Sequence, residues 1–162
     1  MPGLSILLIN HYAGSPRHGM EFRPWYLAHE WQAQGHRVHV VAASASHVRS
    51  SQPATTANRT SELVDGVPYT WFRTPGYHGN GFRRVLNMLA FVLQLLWASR
   101  WLRRAAAPDV VIASSTYPLD IFPAWYIARR SGARLVFEVH DLWPLSPVQL
   151  GGVPRWHPYI LL

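Results

Sequence analysis

The chain contains neither cysteine nor lysine, and only four of its eight acidic residues are glutamates. Without cysteine there can be no disulfide bond, no thiolate nucleophile and no thiolate metal site. All fifteen basic residues are therefore arginine, and the formal net charge of the 162 residues is +7. Mutational bias in a GC-rich genome would explain why arginine is used in place of lysine. The charge itself predicts affinity for anions, and arginine suits bidentate phosphate contacts.

The first residues of the chain do not predict a secretion signal. Residues 1–3 lead directly into the apolar run 4–9, with no basic segment and no small-residue cleavage site. Together with the absence of cysteine, this predicts a cytoplasmic protein.

No apolar run is long enough for a convincing membrane span, which needs roughly 20 residues. The longest helical pattern, 82–104, is interrupted by Asn87 and Gln94. It has arginine pairs at both ends and two tryptophans near its carboxyl end, which is typical of a helix at a membrane interface. The alternative is a helix packed on a sheet, and both interpretations can hold together.

Apolar strand patterns alternate with helical ones along the whole chain. The predicted strands are 4–9, 37–43, 67–73, 109–113 and 135–139, and the predicted helices are 22–34, 82–104 and 119–131. Residues 44–61 have no apolar period and predict a long mobile loop. Ser146 and Pro147 predict the N-cap and first turn of a short helix. With 49% hydrophobic residues, the chain predicts one α/β domain over 1–162, a doubly wound parallel sheet.

The usual strand order of such a sheet, 3-2-1-4-5, places a topological switch between the first and fourth strands. The loops 10–19, 114–118 and 139–143 should then meet in one crevice. The fifth strand is expected to be buried and to deliver polar residues at its carboxyl end.

The glycine-containing first loop does not carry a standard nucleotide motif. Gly14 and Gly19 are five residues apart, and Met20 stands where a P-loop needs lysine. A dinucleotide or P-loop site is therefore not expected. The loop is either a plain turn between strand and helix or a place where the backbone approaches an anion.

His140 and Asp141 are the leading titratable pair, because they follow the fifth strand directly. Either could exchange a proton with a substrate, but Asp141 could also cap the next turn while His140 packs. Glu138 needs a partner, such as an arginine, and a structural ion pair is an equal alternative to a catalytic role. Glu21 could contact a substrate hydroxyl or only favour a helix start.

The remaining polar candidates carry weaker signals. His11 and His18 flank the first loop but form no metal-binding pair, so no metal site is expected. Ser114 and Ser115 lack the context of a hydrolase nucleophile, and hydroxyl or phosphate contacts suit them better.

Two segments resemble family 4 glycosyltransferases. Residues 6–43, ILLINHYAGSPRHGMEFRPWYLAHEWQAQGHRVHVVAA, look like the first strand–helix–strand unit of that family. Residues 108–152, which contain EVHDLWP, are similar to its fourth and fifth strands. The likeness is strongest to bacterial transferases that build O-antigen and capsular polysaccharide.

This resemblance implies the amino-terminal, acceptor-side half of a GT-B enzyme, which has two Rossmann-like domains. It implies a retaining, metal-independent transfer from a nucleotide diphosphate sugar, with no further cofactor. His140 or Asp141 would act at the reacting centre. The loop at the donor diphosphate would comprise Gly14, Ser15, Arg17, His18 and Gly19. Acceptor or substrate contacts would come from His11, Glu21, Ser114, Ser115, Thr116, Glu138 and Trp143.

The chain departs from the family in lacking the Glu-x7-Glu pair of the donor-binding domain, since none of its four glutamates has a second one eight positions later. We therefore expect the donor domain to be absent and the fragment to be inactive alone. The implied acceptor is a lipid-linked glycan at the inner face of the plasma membrane. Two alternatives are a non-catalytic basic module for membrane or nucleic acid and another Rossmann-like nucleotide-binding enzyme. The dispersed arginines and the missing glycine motif argue against both.

Overall fold

Six strands form a single sheet in the computed structural model, which describes residues 2–79, 81–140, 145–156 and 160. The strands are β1 (Ser5–Ile9), β2 (Arg37–Ala43), β3 (Arg59–Val64), β4 (Val67–Phe72), β5 (Val110–Ala113) and β6 (Arg134–Phe137). Their order across the sheet is β3-β4-β2-β1-β5-β6. Every neighbouring pair is parallel except β3 and β4. The predicted α/β class and the order of its five parallel strands are confirmed.

The described residues form five α-helices. They are α1 (Arg23–Ala33), α2 (Phe82–Trp97), α3 (Ser99–Ala106), α4 (Ile121–Ser131) and α5 (Leu145–Gln149), with a 3-10 turn over Pro118–Asp120 before α4. Helix α1 has Pro24 in its first turn, and α4 ends at Gly132, whose φ of 68° is left-handed. Helix α5 begins one residue before Ser146, so Ser146 lies inside the helix and is not its N-cap.

The prediction of a mobile loop over 44–61 is wrong at its carboxyl end. Residues 59–61 belong to β3, which pairs antiparallel with β4 through the two-residue turn Asp65-Gly66. Both turn residues have positive φ (49° and 86°), as a tight hairpin requires. The pattern in β3 was weak because only Val64 is fully buried on this edge strand.

The prediction of one helix over 82–104 is also wrong. The segment bends by 66° at Ala98, between α2 and α3. Leu95 before the bend and Leu102 after it are both completely buried in the same apolar cluster. The bend therefore keeps both helices on the sheet, where burial of their side chains offsets the interrupted helical hydrogen bonds.

Both faces of the sheet are buried, as expected for parallel strands. Alternate residues of β1 point to opposite faces: Leu7 and Ile9 join the cluster under α2, α3 and α4, and Ile6 and Leu8 join the cluster under α1. The core therefore consists of two apolar layers separated by the sheet.

Strand β6 departs from the expectation of a buried fifth strand. It lies at the sheet edge and pairs with β5 alone, so Val136 and Phe137 are 44% and 39% exposed. It also ends at Phe137, which places Glu138 just beyond the strand and not within it.

Candidate active site

The candidate site lies where β1, β5 and β6 end. These carboxyl ends are adjacent, and the order across the sheet changes direction between β1 and β5. This is the topological switch point at which open α/β sheets bind their ligands. The segments that follow the three strands supply Asn10, Ser114, Glu138 and His140. The three loops that the sequence predicted to meet do so through contacts of Asn10 and His140 with Ser114.

Ser114 connects the three strand ends through hydrogen bonds. Its Oγ donates to Glu138 Oε2 at 2.7 Å and lies 3.0 Å from His140 Nε2. Asn10 Nδ2 donates to the Ser114 carbonyl at 2.6 Å and approaches its Oγ at 3.3 Å. Ser114 itself is 1% exposed. It therefore holds Glu138 and His140 from behind and does not face solvent.

Glu138 is ion-paired with Arg23 of α1. Arg23 Nε donates to Glu138 Oε1 at 3.0 Å, and the Nη2 group contacts the same oxygen. Burial alone would raise the pKa of Glu138, but hydrogen bonds from Ser114 and Arg23 and the nearby charges of His140 and Arg23 hold it below its usual value. Glu138 thus stays ionised at neutral pH. The ion pair with an arginine that the sequence left open is present.

The surroundings of His140 assign its ring protons. Nε2 lies 3.0 Å from Ser114 Oγ, whose proton is used on Glu138, and 3.4 Å from Glu138 Oε2. Both neighbours are therefore acceptors, which places a proton on Nε2. The other nitrogen, Nδ1, lies 4.0 Å from Glu21 Oε1, and the His140 side chain is 15% exposed. In the neutral ring Nδ1 keeps a lone pair that can accept a proton from a substrate hydroxyl.

The wall behind this cluster is polar but closed to solvent. The His11 backbone N–H donates to Ser115 Oγ at 2.9 Å, and the Ser115 N–H donates to Asp120 Oδ2 at 3.1 Å. His11 Nδ1 lies 2.6 Å from the Tyr117 hydroxyl. Burial, with the charge of Arg49, lowers the pKa of His11 to about 3, so its imidazole is neutral. His11 and Ser115, predicted as acceptor contacts, therefore lie behind the crevice as its support.

Asp120 is the most perturbed acid of this wall. It is completely buried, and burial raises the pKa of its carboxyl to about 7. A carboxyl with a raised folded-state pKa binds its proton more tightly in the folded protein. Stability therefore falls as pH rises from about 4 to about 7 and is constant above that range.

The variant Asp120→Asn is expected to lose this pH-dependent component, because an amide cannot ionise but can still accept the Ser115 hydrogen bond. The measurement is urea unfolding between pH 4 and 8, with Asp109→Asn as the control carboxylate. At pH 8 we expect Asp120→Asn to be more stable than the parent chain. Equal pH slopes for Asp120→Asn and the parent chain would show that Asp120 does not titrate in this range.

The predicted phosphate loop has most of its side chains engaged within the protein. Ser15 Oγ lies 2.8 Å from His18 Nδ1, and His18 packs on Trp71 and is 7% exposed. Arg17 forms an ion pair with Asp65. The backbone N–H groups of the five residues predicted for this loop are also used within the protein, at the Glu21 carbonyl and at oxygens of Ser15 and Gly19. This arrangement does not favour the predicted contact of the loop backbone with a phosphate.

The structure brings together four of the predicted residues, Glu21, Ser114, Glu138 and His140. Thr116 is partly exposed on the loop after β5. Asp141 and Trp143 lie outside the described residues. The sequence predictions omitted three residues that shape the cluster, namely Asn10, Arg23 and Asp120. Of these, Asn10 could have been found from its place directly after β1.

No group of three or more histidine or acidic side chains in the described ranges is arranged to hold a metal ion. By length and composition, α2 and α3 together resemble a membrane span with a break, whereas neither helix in the described chain is sufficient alone.

The fold is an α/β domain, and the polar cluster is a candidate ligand site at the switch point of its sheet. The family model of the glycosyl transferase 4-like domain matches residues 18–159. The chain belongs to this family, and its function is of the glycosyltransferase type. No curated protein matches it.

Two solved structures are similar to the chain in fold. Both are of the C-terminal domain of a hydrogenase from Pyrococcus furiosus, and both are 18% identical to this chain. One match covers 83% of this chain and 89% of the other with a TM-score of 0.52, and the second covers 85% and 95% with a TM-score of 0.55. At this identity the likeness supports the same arrangement of strands and helices and carries no information on activity.

Proposed function

We propose that the cluster of Glu21, Ser114, Glu138 and His140 is the acceptor side of a retaining, metal-independent glycosyltransferase. The donor would be a nucleotide diphosphate sugar, and the acceptor a lipid-linked glycan used for a cell-surface polysaccharide such as O-antigen or capsule. The observation that carries the proposal is a partly exposed imidazole ring, held at the switch point by contacts of its Nε2 with Ser114 and Glu138.

In this proposal His140 is the residue that touches the acceptor. Nδ1 accepts the hydrogen bond of the attacking hydroxyl, and the ring can take up its proton as the new glycosidic bond forms. The bond between the donor sugar and its diphosphate breaks in the same step, and the nucleoside diphosphate leaves with the bonding electron pair. Ionised Glu138 stabilises the charged imidazolium from the Nε2 side, and Glu21 does so from the Nδ1 side. Ser114 and Arg23 are positioning residues, because they act through Glu138. We place the donor diphosphate near residues 14–19 because the resemblance to the family implies it.

The test is binding of a polyprenyl diphosphate-linked monosaccharide in detergent micelles. We expect His140→Gln to weaken the Kd about tenfold, the effect of losing one hydrogen bond of about 1.4 kcal/mol. His78→Gln is the matched control, because His78 is an exposed histidine outside the cluster.

Equal affinities of the parent chain and His140→Gln would contradict the assignment of His140. Duplex DNA and NAD serve as competing ligands in the same titration. Tighter binding of either would favour a nucleic-acid module or a dinucleotide enzyme over the transferase.

A further inference from the structure

Helix α2 has an exposed apolar stripe along its outer face. From Phe82 to Leu96 the spacing between successive members is 4-3-4-3, as on a single helical face, and Trp97 follows four residues after Leu93. Their exposed fractions reach 73% for Phe82, 62% for Leu93 and 92% for Trp97. The complete apolar stripe comprises Phe82, Leu86, Leu89, Leu93, Leu96 and Trp97. The opposite face, with Phe91 and Leu95, is fully buried in the core. The helix is therefore apolar on both faces although only one is covered within the described chain.

All charged residues of the chain segment that contains the apolar stripe are basic. Between Asp65 and Asp109 the sequence has no acidic residue and six arginines. Arg83 and Arg100 lie in the first turns of α2 and α3, where the positive end of the helix dipole disfavours a cation, and neither first turn has an acidic residue. Among the described residues Arg83, Arg100 and Arg104 form no ion pair. An external anion would offset this local repulsion.

A basic cavity adjoins α3. It has a volume of about 660 Å³. Its arginines are Arg100, Arg103, Arg104 and Arg130. The carboxylate in its lining is Asp109, whose Oδ2 already accepts a hydrogen bond from the Ser5 N–H at 2.8 Å. The excess of guanidinium groups suits the phosphate of a lipid headgroup, which arginine can bind in bidentate fashion.

We propose that the apolar stripe of α2 lies in the interface of an anionic lipid bilayer, with Arg83, Arg100 and Arg104 at the headgroups. This inference does not depend on the transferase activity. Pairing with a second copy would bring basic surfaces together without acidic partners. A transmembrane arrangement is disfavoured because α2 is only about 24 Å long and its inner face belongs to the core.

The experiment is co-sedimentation of the 162-residue chain with vesicles of phosphatidylcholine, with or without about one third phosphatidylglycerol. We expect binding to the anionic vesicles and at least about tenfold weaker partitioning of the double variant Leu93→Gln/Trp97→Gln. The matched control is Leu63→Gln/Trp156→Gln, which removes a leucine and a tryptophan that are 64% and 74% exposed outside the stripe.

The charge contribution is tested separately with Arg100→Glu/Arg104→Glu. Its control, Arg37→Glu/Arg155→Glu, changes the net charge equally at two exposed arginines elsewhere. We expect about a tenfold loss from the first pair alone. Equal losses from both pairs would overturn the proposal, because net charge alone would then explain the binding. Unchanged binding of the stripe variant would also overturn it, as would a dimer that the stripe variant dissociates and that does not bind vesicles.

Discussion

Replacing Gly14 with alanine is expected to destabilise the domain by about 3 kcal/mol, the upper part of the range for overpacking a buried site. An added Cβ would lie 2.0 Å from the Gly19 carbonyl oxygen and 2.7 Å from backbone atoms of Met20. Backbone cannot move aside as the end of a flexible side chain can. The loop would therefore have to shift. This shift would disturb the hydrogen bond that the Gly14 N–H donates to the Glu21 carbonyl at 2.7 Å.

Thermal unfolding measures this effect, and 3 kcal/mol corresponds to a fall in Tm of about 6–12 °C. The control is Gly76→Ala, at a position where an added Cβ meets no atom within 4 Å. A Tm of Gly14→Ala within 1 °C of the control, about the precision of the measurement, would show that the close approach of the two loop segments is not needed. Since Glu21 follows the loop directly, acceptor binding should fall together with stability.

Replacing Arg49 with methionine is expected to cost about 2–3 kcal/mol, although methionine is comparable in length and apolar. Arg49 is 5% exposed, and its guanidinium donates to the carbonyls of Ala13 and Ala43 and lies 5.1 Å from the Trp71 ring. Burial lowers the pKa of Arg49 to about 10, so the residue remains charged. Its removal regains that desolvation cost but leaves two buried carbonyl groups without donors, and the second effect is larger.

The exposed residue Arg37 provides the control, since Arg37→Met is expected to change stability by less than about 0.5 kcal/mol. Urea unfolding of both variants measures the difference. A stability of Arg49→Met equal to or above that of the parent chain would mean that desolvation of the guanidinium outweighs its hydrogen bonds. Hydrogen exchange in residues 44–58 should increase in Arg49→Met, because Arg49 connects this segment to the loop after β1 at Ala13 and to the end of β2 at Ala43.

The parallel strands and the place of the site could be predicted because each depends on local pattern. Apolar runs such as 4–9 reveal buried strands, and the residues that follow them must meet at one edge of a parallel sheet. Two of the errors arose where tertiary contacts override that pattern. Strand β3 buries few of its side chains, and it forms because it pairs with β4. The bend at Ala98 places Leu95 and Leu102 in the same buried apolar cluster.

The residues of the candidate site also divide into those that a local sequence pattern reveals and those that it does not. His140 and Glu138 follow a strand and could be selected, whereas Arg23 and Asp120 are distant from them in sequence and have no motif. The apolar face of α2 could be recognised as amphipathic, but which of its residues remain uncovered depends on packing.

The sequence by itself determined the α/β class, the five parallel strands and the titratable residues at their ends, because hydrophobic periodicity and strand-terminal polarity are local properties. Only the tertiary structure decided that Ser114, Glu138 and His140 form one hydrogen-bonded cluster, that His11 and Ser115 stand behind it, and that one face of α2 is exposed. These features depend on distances between residues far apart in the chain, and such distances arise only when the sheet and its helices pack together.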